Sequence, residues 1–170
     1  MRVFLTGASG WIGSAVVPEL VEAGHDVTGL ARSDRAAAAL TAAGVRVLPG
    51  SLDDLDTLRT VAGAVDGVIH LAFKHDIAFS GDFEGAAQSD RRAVEALGEV
   101  LAGSDRPLVI ASGTLGLAPG RVATEQDGHD PDPAVGPGGA GPSAPCPRRR
   151  GTSGEAGPPT TECRGTPARA

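Results

Sequence analysis

The 170-residue sequence contains no tyrosine, one lysine (Lys74), one tryptophan and four phenylalanines. Without tyrosine the chain has no phenol to serve as a proton donor. Its two cysteines, Cys146 and Cys163, form no Cys-x-x-Cys pair and have no histidine at zinc-ligand spacing, so no metal site is predicted. No apolar run approaches the roughly 20 residues of a transmembrane helix, and residues 1–5 enter the first predicted strand directly, without a signal peptide. We therefore expect a soluble, cytoplasmic protein with no membrane partner.

Large aliphatic residues are missing from the last part of the chain. Beyond Pro131 only Val135 is a large aliphatic residue, and proline and glycine dominate. Such a segment cannot bury enough apolar surface to offset the entropy lost on ordering it. The sequence predicts a folded domain over residues 1–125 and a low-complexity, disordered tail over 126–170. The net charge of −6 and the lack of aromatic residues around the basic run at 148–150 disfavour nucleic acid as a partner.

What the sequence does contain is a glycine-rich segment at residues 6–13, Thr-Gly-Ala-Ser-Gly-Trp-Ile-Gly, directly after an apolar strand pattern. Gly7 allows a turn with φ > 0, Gly10 lets a pyrophosphate approach the backbone, and Gly13 permits close packing of the following helix. The N–H groups at the start of that helix would bind the anion. The spacing is not that of a P-loop, which disfavours ATP hydrolysis, and a turn without a ligand is the less favoured alternative. The predicted contacts are Thr6, Gly7, Ser9, Gly10, Trp11, Ile12 and Gly13.

Strand and helix patterns alternate after this segment. Continuous apolar runs predict strands, and apolar residues three or four apart predict helices between them, with Pro18 an anomaly inside the first helix. Strands that alternate with helices indicate parallel βαβ units with right-handed crossovers. We therefore predict an α/β fold with an incomplete, doubly wound parallel sheet. The predicted strands span residues 1–5, 26–31, 45–48, 68–72 and 107–111.

The glycine segment resembles the opening of the short-chain dehydrogenase/reductase superfamily, in its extended and atypical branch of NAD-dependent epimerase/dehydratase-like proteins. Residues 6–13 match the Thr-Gly-Ala-x-Gly-x-x-Gly of that branch without a gap, and the resemblance continues to about residue 125. It implies a Rossmann-type fold that binds NAD or NADP. It also implies, by descent, an oxidoreductase acting on a carbonyl, an alcohol or a sugar-nucleotide-like substrate.

Cofactor choice is normally made where the second strand ends. Here that position holds Arg32 and Ser33 in place of the acidic residue that binds the ribose of NAD. A guanidinium suits a 2′-phosphate, so Arg32 with Ser33, and with Arg35 as a further candidate, favours NADP(H), while Asp34 leaves NAD open.

The resemblance implies further cofactor contacts where the third and fourth strands end. Ser51, which replaces the family's usual aspartate, and Leu52 would lie near the adenine. The alternative role of the Ser51 hydroxyl, compatible with the first, is to cap the helix predicted to begin at Asp53. The end of the fourth strand is similar to the family's His-Leu-Ala-Ala segment beside the nicotinamide ribose. The predicted contacts there are Leu71, Ala72 and Phe73.

The family's catalytic residues are only partly present. The segment after the fifth strand resembles the family's serine region, whose hydroxyl polarises the substrate carbonyl, and Ser112 aligns first and Thr114 second. The Tyr-x-x-x-Lys pair of the family, its proton shuttle, has no counterpart because tyrosine is absent and Lys74 lies upstream in another element. Ser89 or Asp90 stands where family members often carry a helix asparagine. Whether the chain is an active enzyme stays open.

Ionisable residues also surround the end of the fourth strand. Lys74, His75 and Asp76 follow it at the mouth of the predicted site. A His-Asp pair could act in acid–base chemistry, but the favoured interpretation is solvated loop charges, since adjacent loop side chains usually point apart. His70, inside the apolar strand, is interpreted as a core histidine with satisfied hydrogen bonds.

Three functions of different classes fit these residues: an NAD(P)-dependent oxidoreductase or epimerase-like protein, a non-catalytic dinucleotide-binding or redox-sensing module, and an inactive remnant. The composition suits translation from very GC-rich DNA, and the sequence from about residue 140 fits a frameshifted or truncated product. An authentic member with a disordered tail is the alternative, and translation of the locus in the other frames would distinguish the two. The sequence specifies neither the substrate nor the oligomeric state.

Overall fold

The computed structural model describes residues 1–113, 120–122, 124 and 127. Its strands are β1 (Arg2–Thr6), β2 (Asp26–Ala31), β3 (Arg46–Pro49), β4 (Gly67–His70) and β5 (Leu108–Ile110). Its helices are α1 (Trp11–Glu22), α2 (Asp34–Ala42), α3 (Leu55–Ala64), α4 (His75–Phe79) and α5 (Phe83–Leu101). Within these described ranges, no helix is long and apolar enough to cross a membrane.

The five strands form one parallel sheet in the order β3-β2-β1-β4-β5. The chain winds outward from β1 through β2 to β3, then returns through α3 to β4 on the other side of β1. The direction of winding therefore reverses between β1 and β4. Such a switch point opens a crevice outside the carboxyl ends of the strands. The predicted doubly wound parallel sheet is confirmed.

Each face of the sheet buries its own apolar cluster. Phe4 and Leu5 are both fully buried, but they point to opposite faces because successive strand residues alternate. Phe4 packs in a cluster with Leu58 of α3 and Leu97 of α5, whereas Leu5 belongs to the cluster that contains Val17 of α1. Since both faces are covered, the central strands β1 and β4 are mainly apolar, as the sequence pattern indicated, and their buried polar residues Thr6 and His70 lie at the carboxyl ends.

The segment after β4 departs most from the sequence-based expectation. β4 ends at His70 rather than at residue 72, and the short helix α4 was not predicted. Helix α5 begins at Phe83, and Asp82 caps it by accepting a hydrogen bond from the Gly85 N–H at 2.8 Å. The apolar spacing of Val94, Leu97 and Leu101 predicts only the last part of this helix. Helix α1 continues through Pro18. The predicted tail over 126–170 lies outside the described residues apart from Asp127.

Helix α1 packs so closely on the turn after β1 that only glycine fits at two positions. A Cβ at Gly13 would lie 2.2 Å from the carbonyl oxygen of Gly7 and 2.6 Å from that of Ala8. Gly7 has a φ of 68°, and a Cβ there would lie 2.7 Å from the backbone nitrogen of Ala72, just beyond β4. All these neighbours are backbone atoms, which cannot rotate away as a side chain can. The first and third glycines of the motif are therefore required by the fold itself.

We expect Gly13→Ala to destabilise the fold by at least about 1–3 kcal/mol, the usual cost of overpacking. The matched control is Gly63→Ala in α3, where the added Cβ would meet nothing closer than Val100 Cγ1 at 3.8 Å. There the better helix propensity of alanine should stabilise the fold by about 0.5–1 kcal/mol. Urea unfolding of both variants and the wild type measures the difference. A Gly13→Ala protein with the wild-type midpoint would contradict the close packing of α1.

Candidate functional site

A cleft of about 940 Å³ opens at the carboxyl ends of β1 to β4, at the switch point of the sheet. This volume is in the range of small-molecule and cofactor sites, about 300–1,000 Å³. Every cofactor contact predicted from the sequence lines this cleft, with the exception of Thr6. The predicted residues in its walls are Gly7, Ser9, Gly10, Trp11, Ile12, Gly13, Arg32, Ser33, Ser51, Leu52, Leu71, Ala72 and Phe73.

The N-terminus of α1 forms one wall of the cleft. Gly10 is the N-cap, in extended conformation, and makes no side-chain cap hydrogen bond; its own N–H donates to the Gly7 carbonyl at 2.9 Å. Most helices satisfy first-turn N–H groups with an N-cap side chain, as Ser33 does for α2 by accepting a hydrogen bond from the Ala36 N–H at 3.3 Å. Helix α1 also has no acidic residue in its first turn. Its N–H groups and positive dipole end therefore suit an anion in the cleft.

A buried polar network lies beneath this wall. Thr6 and His70 are opposite each other in the β1–β4 ladder, and Thr6 Oγ1 lies 2.8 Å from His70 Nδ1. The same hydroxyl accepts a hydrogen bond from the Ala72 N–H at 3.3 Å. His70 Nε2 lies 3.0 Å from Asp90 Oδ1, and because a carboxylate only accepts hydrogen bonds, Nε2 is the donor there. In the neutral imidazole Nδ1 is then the acceptor for the Thr6 hydroxyl. The interpretation of His70 as a satisfied core histidine is confirmed.

Thr6 itself is fully buried and does not line the cleft. Its hydroxyl is already engaged with His70 and Ala72, so it supports the glycine turn from below. Thr6 therefore lies beneath the cleft lining, and its direct contact with a cofactor stays a prediction.

Arg32 lies at the end of β2, where cofactor choice was expected to be made. Its Nη1 atom lies 3.1 Å and 3.3 Å from the two carboxylate oxygens of Asp76 in α4. Asp34, the residue that left NAD open, begins α2 and is not among the residues that line the cleft. Arg32 and Arg35 are therefore the charged residues of this segment that line the cleft.

Lys74 is not a solvated loop charge, so that part of the sequence-based interpretation is wrong. Its Nζ lies 2.6 Å and 2.7 Å from the two carboxylate oxygens of Asp53, and its side chain is only 16% exposed. Asp53 also accepts a hydrogen bond from the buried Ser89 hydroxyl at 3.0 Å. The hydrogen bond from Lys74 is the main cause that holds the pKa of the Asp53 carboxyl below its usual value. This pair forms part of the cleft wall.

Several lining residues were not assigned to the cofactor from the sequence. Ala36 and Ala39 lie on one face of α2, and the helical spacing of that segment could have indicated them. Ile77 belongs to α4, which no apolar pattern predicted. The unassigned lining residues are Leu30, Ala36, Ala39, Gly50, Asp53, Lys74, His75 and Ile77.

The predicted catalytic residues lie apart from the cleft lining or outside the described residues. Ser112 follows β5, is exposed, and is not among the lining residues. Thr114 lies outside the described residues. Ser89 and Asp90, which stand in place of the family's asparagine, are bonded to Asp53 and His70. In the part of the chain that the structure covers, no group of three or more His, Cys, Asp or Glu could hold a metal ion.

Two solved structures share this architecture. The yeast methylglyoxal/isovaleraldehyde reductase Gre2, complexed with NADPH, gives a TM-score of 0.56 at 24% identity over 69% of this chain and 38% of that chain. The UDP-glucose 4-epimerase of Thermotoga maritima, with UDP-glucose, gives a TM-score of 0.60 at 21% identity over 73% of this chain and 41% of that chain. At these identities the similarity concerns the fold.

Sequence relatives are closer. An uncharacterized protein of Saccharomyces cerevisiae is 49% identical over 137 residues, which is 79% of this chain and 45% of the yeast protein. The chain spans less than half the length of the curated relatives that it matches. The sequence model of the NAD dependent epimerase/dehydratase family matches residues 3–137, beyond the predicted limit of the resemblance at about residue 125. That match covers the described strands from Val3 onward and all residues that line the cleft, so the chain belongs to the NAD dependent epimerase/dehydratase family.

Proposed function

We propose that the chain binds NADP(H) in the cleft, with the pyrophosphate at the N-terminus of α1. The observation that carries this proposal is the start of α1, which borders a cleft of cofactor size. Its N-cap residue is a glycine, so no side chain caps the first N–H groups of the helix, and an anion can bind there. A nicotinamide dinucleotide is the cofactor class that the family's description implies, and the NADPH-bound yeast reductase has the same fold.

The dinucleotide would lie across the carboxyl ends of the strands. Its adenosine half would contact the segments after β2 and β3, and its nicotinamide half the segment after β4 and the start of α1. Trp11 is 94% exposed and Ile12 is 53% exposed, although both line the cleft. A ligand that covers these side chains would remove apolar surface from water, which favours binding. The proposed contacts on the adenosine side are Arg32, Ser33, Ser51 and Leu52, and those on the nicotinamide side are Leu71, Ala72 and Phe73.

By family descent, the reaction would be an oxidation or reduction of a carbonyl or alcohol carbon. A bound nicotinamide supplies the hydride chemistry, and the chain's own residues would bind and orient it. Ser112, which follows β5 beside β4, would donate a hydrogen bond to the carbonyl oxygen of the substrate. Thr114 is the alternative donor. The substrate class beyond a carbonyl, alcohol or sugar nucleotide stays open.

We expect Gly10→Val to weaken dinucleotide binding at least about tenfold, which is about 1.4 kcal/mol. The added side chain would occupy the space of the pyrophosphate. The φ of −79° at Gly10 suits any residue, but a Cβ there would lie 3.1 Å from the Gly7 carbonyl oxygen, which is a tight contact, so urea unfolding of the variant first establishes that it is folded. Isothermal titration with NADPH measures the change, with Gly63→Val on the exposed side of α3 as the control. A folded Gly10→Val protein with wild-type affinity would refute the assignment of the pyrophosphate site.

We expect the wild type to bind NADPH roughly tenfold more tightly than NADH, because a charge-assisted hydrogen bond to a phosphate contributes about 1.5–3 kcal/mol. The variant Arg32→Ala should remove this preference. Titrations of both cofactors against the wild type and the variant measure it. Arg46→Ala is the matched control, since Arg46 is also an exposed arginine paired with an aspartate. It lies at the amino end of β3, whereas the cleft lies at the carboxyl ends of the strands. Equal affinities in the wild type, or a preference that survives Arg32→Ala, would argue against this role.

The second candidate function is a non-catalytic dinucleotide-binding module, which the complete absence of tyrosine favours. For the 170-residue chain we expect negligible carbonyl reductase, dehydrogenase or epimerase turnover, because loss of a general acid costs on the order of 10²- to 10⁴-fold. Absorbance of NADPH against a panel of aldehydes, ketones and nucleotide sugars measures it. Robust turnover that Ser112→Ala abolishes would contradict this expectation and direct attention to Lys74, His75 and Asp76 as proton donors.

A further inference from the structure

The ion pair between Arg32 and Asp76 joins the two sides of the cleft. Arg32 follows β2 and lines the cleft, and Asp76 belongs to α4, which follows β4. In the sheet, β1 lies between β2 and β4, and the glycine turn begins where β1 ends. The pair therefore connects segments on either side of the turn at which a dinucleotide would bind.

The contact between these two side chains is of a kind that another anion can replace. Both hydrogen bonds come from Nη1, at 3.1 Å and 3.3 Å, so the pair does not use the two-nitrogen fork in which arginine binds a carboxylate most tightly. The Arg32 side chain is 64% exposed and that of Asp76 is 57% exposed. Water screens such pairs, and their net stabilisation is small.

Asp76 is nonetheless charged at neutral pH. Partial desolvation raises the pKa of its carboxyl, but hydrogen bonds from its own backbone N–H and that of Ile77, together with the charge and hydrogen bond of Arg32, outweigh this effect and hold the pKa below its ordinary value. Arg32 therefore meets a carboxylate whenever no ligand is bound.

We propose that Asp76 is a specificity-determining residue that occupies Arg32 in the ligand-free protein and must be displaced by the 2′-phosphate of NADP(H). A phosphate monoester carries close to two negative charges and three acceptor oxygens, so it outcompetes a carboxylate for the guanidinium. A dinucleotide without this phosphate can bind while the ion pair between Arg32 and Asp76 stays intact. Asp76 therefore weakens the binding of NADP(H) selectively and narrows the preference over NAD(H). This inference rests on the proposed NADP(H) binding and on the proposed role of Arg32.

The test is a double-mutant cycle with two ligands. The dissociation constants of NADPH and NADH are measured by isothermal titration for the wild type, Asp76→Asn, Arg32→Ala and the double variant. We expect Asp76→Asn to tighten NADPH binding about two- to fivefold, the range that exposed ion pairs support, and to leave NADH binding unchanged. In the Arg32→Ala background, Asp76→Asn should change neither affinity.

A matched control separates this effect from a change in net charge. Asp26 pairs with Arg46 at 2.7 Å and is also exposed. It lies at the amino end of β2, and the cleft lies at the carboxyl ends of the strands. Asp26→Asn removes the same charge from the same kind of pair and should leave both affinities at the wild-type values.

The outcomes separate this inference from the function on which it rests. The role of Asp76 alone is overturned if Asp76→Asn leaves the NADPH affinity unchanged or weakens it, or if it tightens NADH binding by the same factor. It is also overturned if the tighter NADPH binding persists in the Arg32→Ala background, or if Asp26→Asn tightens NADPH binding equally. If no dinucleotide binds the wild type, or if Arg32→Ala binds NADPH as tightly as the wild type, both the proposed cofactor preference and the role of Asp76 fail.

Discussion

The contact between Gly13 and the carbonyl oxygen of Gly7 determines where a ligand site can form in this fold. With no side chain at either residue, the first turn of α1 rests directly on the end of β1. The backbone beyond β4 approaches Gly7 just as closely, through Ala72. Three backbone segments thus meet at the switch point of the sheet with no side chain between them. The surface that they leave consists of backbone N–H groups and glycine, which is what a phosphate can approach.

A polar network beneath this surface joins two of these segments, the end of β1 and the chain beyond β4, to α5. Thr6, His70 and Asp90 connect β1, β4 and α5, and the Thr6 hydroxyl also holds the N–H of Ala72. Leaving one buried partner unsatisfied costs about 1–3 kcal/mol, so each group constrains the position of the next. Within residues 1–113 and the few described beyond them, no buried side-chain nitrogen or oxygen lacks a hydrogen-bond partner. The glycine turn is consequently held from below by a network with one low-energy arrangement, and a ligand would meet a preformed wall.

The parts of this structure that the sequence predicts are those governed by local constraints. The glycines of residues 6–13 and the apolar strands follow from backbone conformation and two-sided burial, and both can be recognised in a single sequence. The first half of α5 could not be recognised, because its buried residues there are Ala86, Ser89 and Ala93, which are too small or too polar to give an apolar period. Their burial comes from close packing of α5 against other helices, which a pattern along the chain does not record.

The charged residues of the cleft show the same limit, since their roles depend on partners distant in sequence. Lys74 forms an ion pair with Asp53, 21 residues away in sequence, and Arg32 forms one with Asp76, 44 residues away. The two pairs differ physically. The Lys74 pair is short, mostly covered on the lysine side and supported by the Ser89 hydroxyl, whereas the Arg32 pair is longer and exposed on both sides. Because separating a covered ion pair costs more than separating a hydrated one, an anion that enters the cleft competes for Arg32 at a lower cost than for Lys74. The residues that line the cleft thus include Lys74, whose covered ion pair contributes to the architecture, and Arg32, whose ion pair is more exposed and which follows β2, the position at which cofactor choice is normally made in this fold.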